Sequence, residues 1–135
     1  MTGAELKTLR ESMGLSQQWM ASNCPSPSGK GVNLRSYQRW ESGDAPVPDD
    51  AALFFRCVKS EWRGLADREA TDALDLIDRH TKSIDLYRYR SDHDVPDHIG
   101  MPAAFHALAI KRAQEIVERQ RDVTVSIVYA EADRD

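Results

Sequence analysis

The sequence has 135 residues, 41% of them hydrophobic and 30% charged, which suits one ordinary domain or two small ones and excludes a disordered tail. The formal net charge of −4 argues against a uniformly basic nucleic-acid-binding protein. No apolar run approaches the roughly 20 residues of a membrane helix, and the N-terminus has no basic-then-apolar signal sequence, so we expect a cytoplasmic protein.

The charge is distributed unevenly along the chain. Residues 1–63 contain eight Lys and Arg against seven Asp and Glu, whereas residues 64–135 contain ten against fifteen. Any surface that attracts phosphate is therefore expected in the first half, where it must be a local patch because that half as a whole is nearly neutral.

Two short helices are predicted near the N-terminus. Leu6, Leu9 and Met13 recur at i, i+3 and i+7 before a glycine, which is typical of an amphipathic helix and its stop signal. A second helix restarts in "LSQQWMA" with Ser16 as its N-cap. The segment "PSPSGKG", residues 25–31, is predicted to be a loop because it is rich in proline, glycine and serine.

A third and a fourth helix follow this loop. In "VNLRSYQRWESG" we expect Asn33 to cap a helix that carries Tyr37 and Trp40 on its inner face and stops at Gly43. Pro48 then opens a helix that runs to about residue 63. Its apolar stripe is expected to contain Leu53, Phe54, Cys57, Val58 and Trp62.

The second half predicts a fifth helix, a strand, a long helix and a second strand. Residues 67–83 place Ala70, Ala73, Leu74 and Ile77 on one helix face, and residues 83–89 alternate as a strand does. Pro102 begins an amphipathic helix, and the β-branched run at 122–130 is the second strand. The predicted fold is mainly α with a small β component, with a five-helix N-terminal domain (1–64) and a C-terminal strand-helix-strand region (65–135).

The segments "LSQQWMA" and "VNLRSYQRWESGDAPVP" together resemble the Cro/C1-type (XRE, lambda-repressor-like) helix-turn-helix family over residues 1–55. The resemblance rests on Gln17, Ser36, Tyr37, Trp40, Glu41, Gly43 and Pro48. It implies that the N-terminal domain is a DNA-binding helix-turn-helix domain and that residues 34–41 form its recognition helix. One departure is the loop between the second and third helices, which is longer than the family's turn. Its Lys30 is either a phosphate contact or part of a solvated insertion without consequence.

A narrower resemblance involves "LRSYQRWESGDAPVPDD", which is similar to a run in anti-CRISPR-associated regulators and in the related YdiL-like helix-turn-helix proteins. Those proteins also have a C-terminal part of similar length that contains a strand and an amphipathic helix. The resemblance implies a transcription regulator, and one that acts on its own operon as regulators of phages and mobile elements do.

A helix in the major groove presents long polar side chains to base edges while its other face packs on the domain. The predicted outward, base-reading residues are Leu34, Arg35, Gln38 and Arg39. Arginine reads guanine, glutamine reads adenine, and Leu34 can touch a thymine methyl group. The alternative is that Arg39 pairs with Glu41 or Asp44 and that Gln38 is an ordinary helix former.

The remaining predicted roles are phosphate contact and core packing. Side chains near the ends of the second and third helices are expected to contact phosphates, which set register without reading sequence. These residues are Gln17, Gln18, Lys30, Asn33 and Ser36. The helix-turn-helix core is expected to comprise Leu6, Leu9, Met20, Tyr37 and Trp40.

One recognition helix reads only a few base pairs, so a regulator of this size needs two copies on half-sites about one helical turn apart. A sheet of only two strands is marginally stable by itself. Because pairing with the same element of a second chain would stabilise it, the C-terminal half is the expected dimerisation region. We therefore expect a homodimeric, nucleoid-associated repressor that binds an inverted repeat in double-stranded DNA. Two alternatives stay open. One is an antitoxin whose acidic half binds a toxin, and the other is a protein-interaction module that keeps the scaffold without binding DNA.

No catalytic, cofactor or metal site is predicted. The loop "HDVPDH", with His93, Asp94, Asp97 and His98, has spacing that could hold a metal, but a solvated loop is the preferred interpretation. No nucleophile motif or P-loop occurs, so the chain is not expected to be an enzyme. Both cysteines are interpreted as packing residues of a reduced protein.

Overall fold

The computed structural model describes residues 1–131, which are mainly helical, with five α-helices and a two-stranded parallel sheet near the C-terminus. The elements are α1 (Gly3–Ser12), α2 (Gln17–Asn23), α3 (Leu34–Ser42), α4 (Asp49–Asp75), β1 (Ser83–Arg88), a 3-10 turn (Asp92–Asp94), α5 (Ala103–Gln120) and β2 (Thr124–Tyr129). The chain forms two compact units, Met1–Glu61 and Trp62–Asp135. None of the helices in the described part of the chain has the length and apolar character needed to cross a bilayer.

The first three helices are each capped at the N-terminus by a side chain, and two of these caps are the ones that the sequence indicates. Thr2, Ser16 and Asn33 each accept a hydrogen bond from a backbone N–H in the first turn of α1, α2 and α3. The predicted caps of α2 and α3 are thereby confirmed. Gly43 ends α3 in the left-handed conformation (φ 85°), which glycine adopts without a steric cost, so the predicted stop signal is also confirmed.

The core of the first unit surrounds Tyr37, which is fully buried. Its ring makes edge-to-face contacts with Trp40 and Phe55, at centroid distances of 5.8 and 6.0 Å, and such pairs add to the stabilisation from burial. Leu6 and Met20 are also fully buried, whereas Leu9 is only half-buried. The recognition-helix candidate α3 is therefore held against the unit through its aromatic face.

The predicted apolar stripe of the fourth helix is partly wrong. Leu53 is 63% exposed and Cys57 is exposed as well, so neither is a packing residue. In the first unit the inner face of α4 passes through Ala51, Ala52, Phe55 and Val58. Val58, and Trp62 in the second unit, are buried as predicted. Leu53 and Cys57 lie four residues apart on a different face.

The five-helix N-terminal domain is also wrong in its helix count. The predicted fourth and fifth helices are one continuous helix, α4, and only α1, α2 and α3 lie wholly in the first unit. Gly64, which adjoins the predicted end of the fourth helix at about residue 63, sits inside this helix. Its cost of about 1 kcal/mol is offset because Trp62, Ala66, Ala70 and Ala73 continue a single buried face of the second unit.

The loop between α2 and α3 closes against α2 through Gly31. The Val32 N–H donates to the Ala21 carbonyl over 2.8 Å. A Cβ atom on Gly31 would lie 2.4 Å from the Ala21 carbonyl oxygen, and φ at this residue is +80°. Only glycine fits here, because both the conformation and the close approach exclude a side chain.

We expect Gly31→Ala to destabilise the first unit by about 2 kcal/mol or more, since it combines left-handed strain with a backbone clash. Gly29→Ala is the matched control, because Gly29 has a similar φ of +71° but nothing within 4 Å of the added Cβ. It should cost only about 1 kcal/mol. Urea denaturation measures the free energy of unfolding of both variants. Equal losses of stability would show that the close approach of Gly31 to the α2 backbone adds nothing to the cost of the substitution.

The second unit contains a β1-α5-β2 arrangement in which the strands pair in parallel, with Ile84 opposite Val125 and Leu86 opposite Ile127. Both strands and α5 occur where the sequence predicts them. The helical crossover makes the pairing parallel, because two strands joined by a hairpin would be antiparallel. One core joins the sheet to α4 and α5, and its buried residues are Ala70, Ala73, Leu86, Ile110, Ala113, Val117 and Val125.

Candidate nucleic-acid interface

The outer face of α3 is polar and carries unpaired cations. Arg35, Gln38 and Arg39 are exposed, and their spacing places them on one side of the helix, opposite Tyr37 and Trp40. Neither arginine forms an ion pair within residues 1–131. The alternative interpretation that Arg39 pairs with Glu41 or Asp44 is therefore wrong. This face presents two guanidinium groups and one amide to the solvent.

The carboxylate of Glu41 binds Arg10 of α1 instead. Arg10 Nε donates to Glu41 Oε2 over 2.9 Å, and Arg10 Nη2 donates to Oε1 over the same distance. The side chains of Arg10 and Glu41 are only 14% and 4% exposed. Arg10 Nη1 also donates to the Leu15 carbonyl over 3.2 Å. This two-point ion pair fixes the C-terminal half of α3 to α1.

The ion pair sets the protonation of its neighbours. Burial alone would raise the pKa of Glu41, but the hydrogen bonds and the charge of Arg10 outweigh it, so the pKa lies below the ordinary value of 4.5. The pKa of Arg10 is raised, mainly by its bonds to Glu41. Burial, and then the negative charge of Glu41, raise the pKa of Tyr37, so its phenol is neutral.

We expect the first unit to lose stability as the pH falls below about 4.5, the ordinary pKa of glutamate. A carboxyl with a depressed folded-state pKa stabilises the fold above its unfolded-state pKa, and this contribution disappears as the pH falls through the folded-state pKa. Urea denaturation at a series of pH values, followed through amide signals of α1 and α3, measures the effect. In Glu41→Gln the acid dependence should be flatter, and a curve parallel to that of the wild type would contradict this assignment.

A chain of amides links the ion pair to the exposed face of α3. Gln17 Nε2 donates to Glu41 Oε2 over 3.4 Å, and Gln17 Oε1 accepts from Gln38 Nε2 over 3.1 Å. The amide of Gln38 is thereby held in one orientation. This bond uses one N–H, and the carbonyl oxygen and the second N–H stay available for other partners. Gln17 therefore serves as an internal bridge between α2 and α3.

Each of the other side chains that were predicted to contact phosphate or bases either forms a local hydrogen bond or is at least partly exposed. Gln18 donates to Ser22 over 2.7 Å, and Asn33 accepts from the Arg35 N–H over 2.8 Å as the cap of α3. Ser36 and Lys30 are exposed, whereas Leu34 is half-buried. Ser36 follows the cap on the same helix as the base-reading candidates, and Lys30 lies in the loop before it.

Sequence reasoning missed Arg10 as part of this site. Arg10 looks like one more charged residue on a short helix, and its partner lies 31 positions away. The available signal was the acidic residue Glu41, which follows Tyr37 by four positions and so lies on the inner side of a helix whose outer face carries cations. If the outer face of α3 is to bind an anion, a carboxylate on the same helix needs a cationic partner that neutralises it.

The C-terminal unit differs from α3 in its balance of charge. Its charged residues are mainly acidic, and no cluster of three or more His, Cys, Asp or Glu that could hold a metal occurs among the residues that are described. The two strands pair with each other, and each has one edge without a neighbour in the described chain. A comparison with protein-family models and a search of curated proteins both found no match.

Proposed function

We propose that the chain is a sequence-specific DNA-binding transcription regulator that inserts α3 into the major groove. The observation that carries the proposal is the exposed face of α3, where Arg35, Gln38 and Arg39 project from a helix capped at both ends and neither arginine has an ion-pair partner within residues 1–131. Paired donors on arginine match the O6 and N7 acceptors of guanine, and the glutamine amide matches adenine.

The rigidity of α3 supports this role. Specific readout requires side chains held in place before binding, since ordering them on the DNA costs affinity. The Arg10–Glu41 ion pair holds α3 against α1, and the Gln17–Gln38 hydrogen bond holds one candidate base-reading side chain, that of Gln38. Together with the resemblance of residues 1–55, they favour a lambda-repressor-like helix-turn-helix domain with α2 and α3 as its two central helices.

We also propose that two copies bind an inverted repeat and repress the promoter that contains it. A single α3 contacts too few base pairs to select one site in a genome, whereas two copies related by a two-fold axis double the readout. The C-terminal unit is the proposed dimerisation region, because each of its strands has an unpaired edge. Its excess of acidic residues suits a unit directed away from phosphates.

The test is selection of bound duplexes from a random DNA library with the full chain at modest salt. The expected result is enrichment of an inverted repeat whose half-sites lie about one helical turn apart. Enrichment of single half-sites would disprove the dimer but keep the base reading. If no sequence is enriched, DNA reading is disproved, and the toxin-binding and protein-scaffold alternatives become the working hypotheses.

A further inference from the structure

We propose that a cleft between α4 and β1 in the second unit binds a small organic cation, namely an amine or guanidinium with a short aliphatic chain. The cleft has a volume of about 300 Å³, at the lower end of the range for small-molecule sites. All of its lining residues belong to the second unit. The site therefore does not depend on whether the first unit binds DNA.

The charge of the cleft selects a cation. Glu69 and Asp72 from α4 and Asp85 from β1 contribute three carboxylates, and no lysine or arginine is part of the lining. Burial, and then the negative charge of Asp72, raise the pKa of Glu69, while Arg68 opposes the shift. Glu69, which is partly desolvated, is thus repelled by Asp72, and a bound positive charge would relieve that repulsion.

The walls of the cleft suit an aliphatic chain with a cationic head. Ile84 and Leu86 contribute apolar surface, and Leu76 is 78% exposed despite its size. Tyr87, which is 54% exposed, and Tyr89 also line the cleft. Aromatic faces attract ammonium and guanidinium groups, and the attraction increases when water is excluded.

A buried imidazole in the lining lacks a hydrogen-bond partner. His106 is only 2% exposed, and its Nδ1 has no partner among the described residues. Its Nε2 lies 3.9 Å from Glu69 Oε1, and its ring centroid lies 4.8 Å from that of Tyr89. Burial, and then the charge of Arg88, lower the pKa of His106, so the ring is neutral and has one nitrogen that accepts. The cleft is thus lined by a buried polar side chain whose hydrogen bonding is incomplete within the described residues.

The experiment is an NMR titration of the full chain with diaminopentane and with agmatine, each compared with sodium chloride at equal ionic strength. We expect saturable shifts from at least one of them, confined to the signals of residues 69–76, 84–89 and 106. Asp72→Asn and Asp85→Asn should each weaken binding about two- to fivefold. The matched controls are Asp67→Asn and Asp75→Asn, which alter exposed carboxylates of α4 outside the lining and should leave the affinity unchanged.

Pentanediol, which has the same chain length without charge, separates cation recognition from apolar binding. It should produce no saturable shift in the cleft. The proposal is overturned if neither cation saturates, if pentanediol binds as well as diaminopentane, or if the control variants weaken binding as much as the cleft variants. Because no DNA is present, each of these outcomes is independent of the duplex selection.

Discussion

Glu41→Ala is expected to destabilise the first unit by about 3–5 kcal/mol, the usual cost of leaving one member of a buried ion pair without its partner. In the alanine variant the Arg10 side chain, which is 14% exposed, keeps only its hydrogen bond to the Leu15 carbonyl among the bonds described above. It also removes the acceptor of the Gln17 amide. The loss is comparable to the whole stability of many small domains, so the signals of α1 and α3 should broaden or disappear. Urea denaturation and amide hydrogen exchange measure it.

The control is the double variant Arg10→Met with Glu41→Leu. Replacing both members of a buried pair by apolar side chains of similar volume is often neutral or stabilising. The double variant should therefore recover most of the stability that Glu41→Ala loses. If it is as unstable as the single variant, then the shape of the site, and not the buried charge, explains the loss.

Arg35→Ala is expected to weaken binding to the selected repeat by about 1–3 kcal/mol per half-site, or roughly fivefold to 150-fold for each. The reason is that a bidentate arginine contact distinguishes guanine from other bases, whereas phosphate contacts do not. Binding to unrelated DNA should fall much less, and its salt dependence should change only slightly. Titration of the repeat and of a scrambled duplex at two salt concentrations measures both effects.

The matched variant is Arg35→Lys, which keeps the charge but not the planar pair of donors. It should keep affinity for scrambled DNA and lose preference at one base pair. Gln17→Ala provides a second comparison, because it should relax the preference at the base read by Gln38 without removing any residue of the exposed face. Equal affinity of wild type and Arg35→Ala for the repeat would disprove base reading by Arg35.

Local signals in the sequence were sufficient for the ends of the short helices. Asn33 and Gly43 delimit α3 because a cap and a left-handed glycine act on the turn in which they occur. The alternation of residues 83–89 and the β-branched run near the C-terminus likewise predicted both strands. Each of these features depends on residues only a few positions apart, which the sequence by itself displays.

Features that depend on residues far apart in the sequence were decided by the tertiary structure. α4 does not end at about residue 63 as predicted, because the buried face of the second unit continues beyond that point. Leu53 and Cys57 are exposed, since the direction in which α4 faces its neighbours cannot be read from hydrophobicity alone. The pairing of Arg10 with Glu41 joins residues from different helices, and the electrostatics of α3 follow from it. The sequence by itself determined the caps of α2 and α3, the strands and the side chains that α3 carries. Packing between elements decided how far α4 extends and which side chains of α3 are held by neighbours.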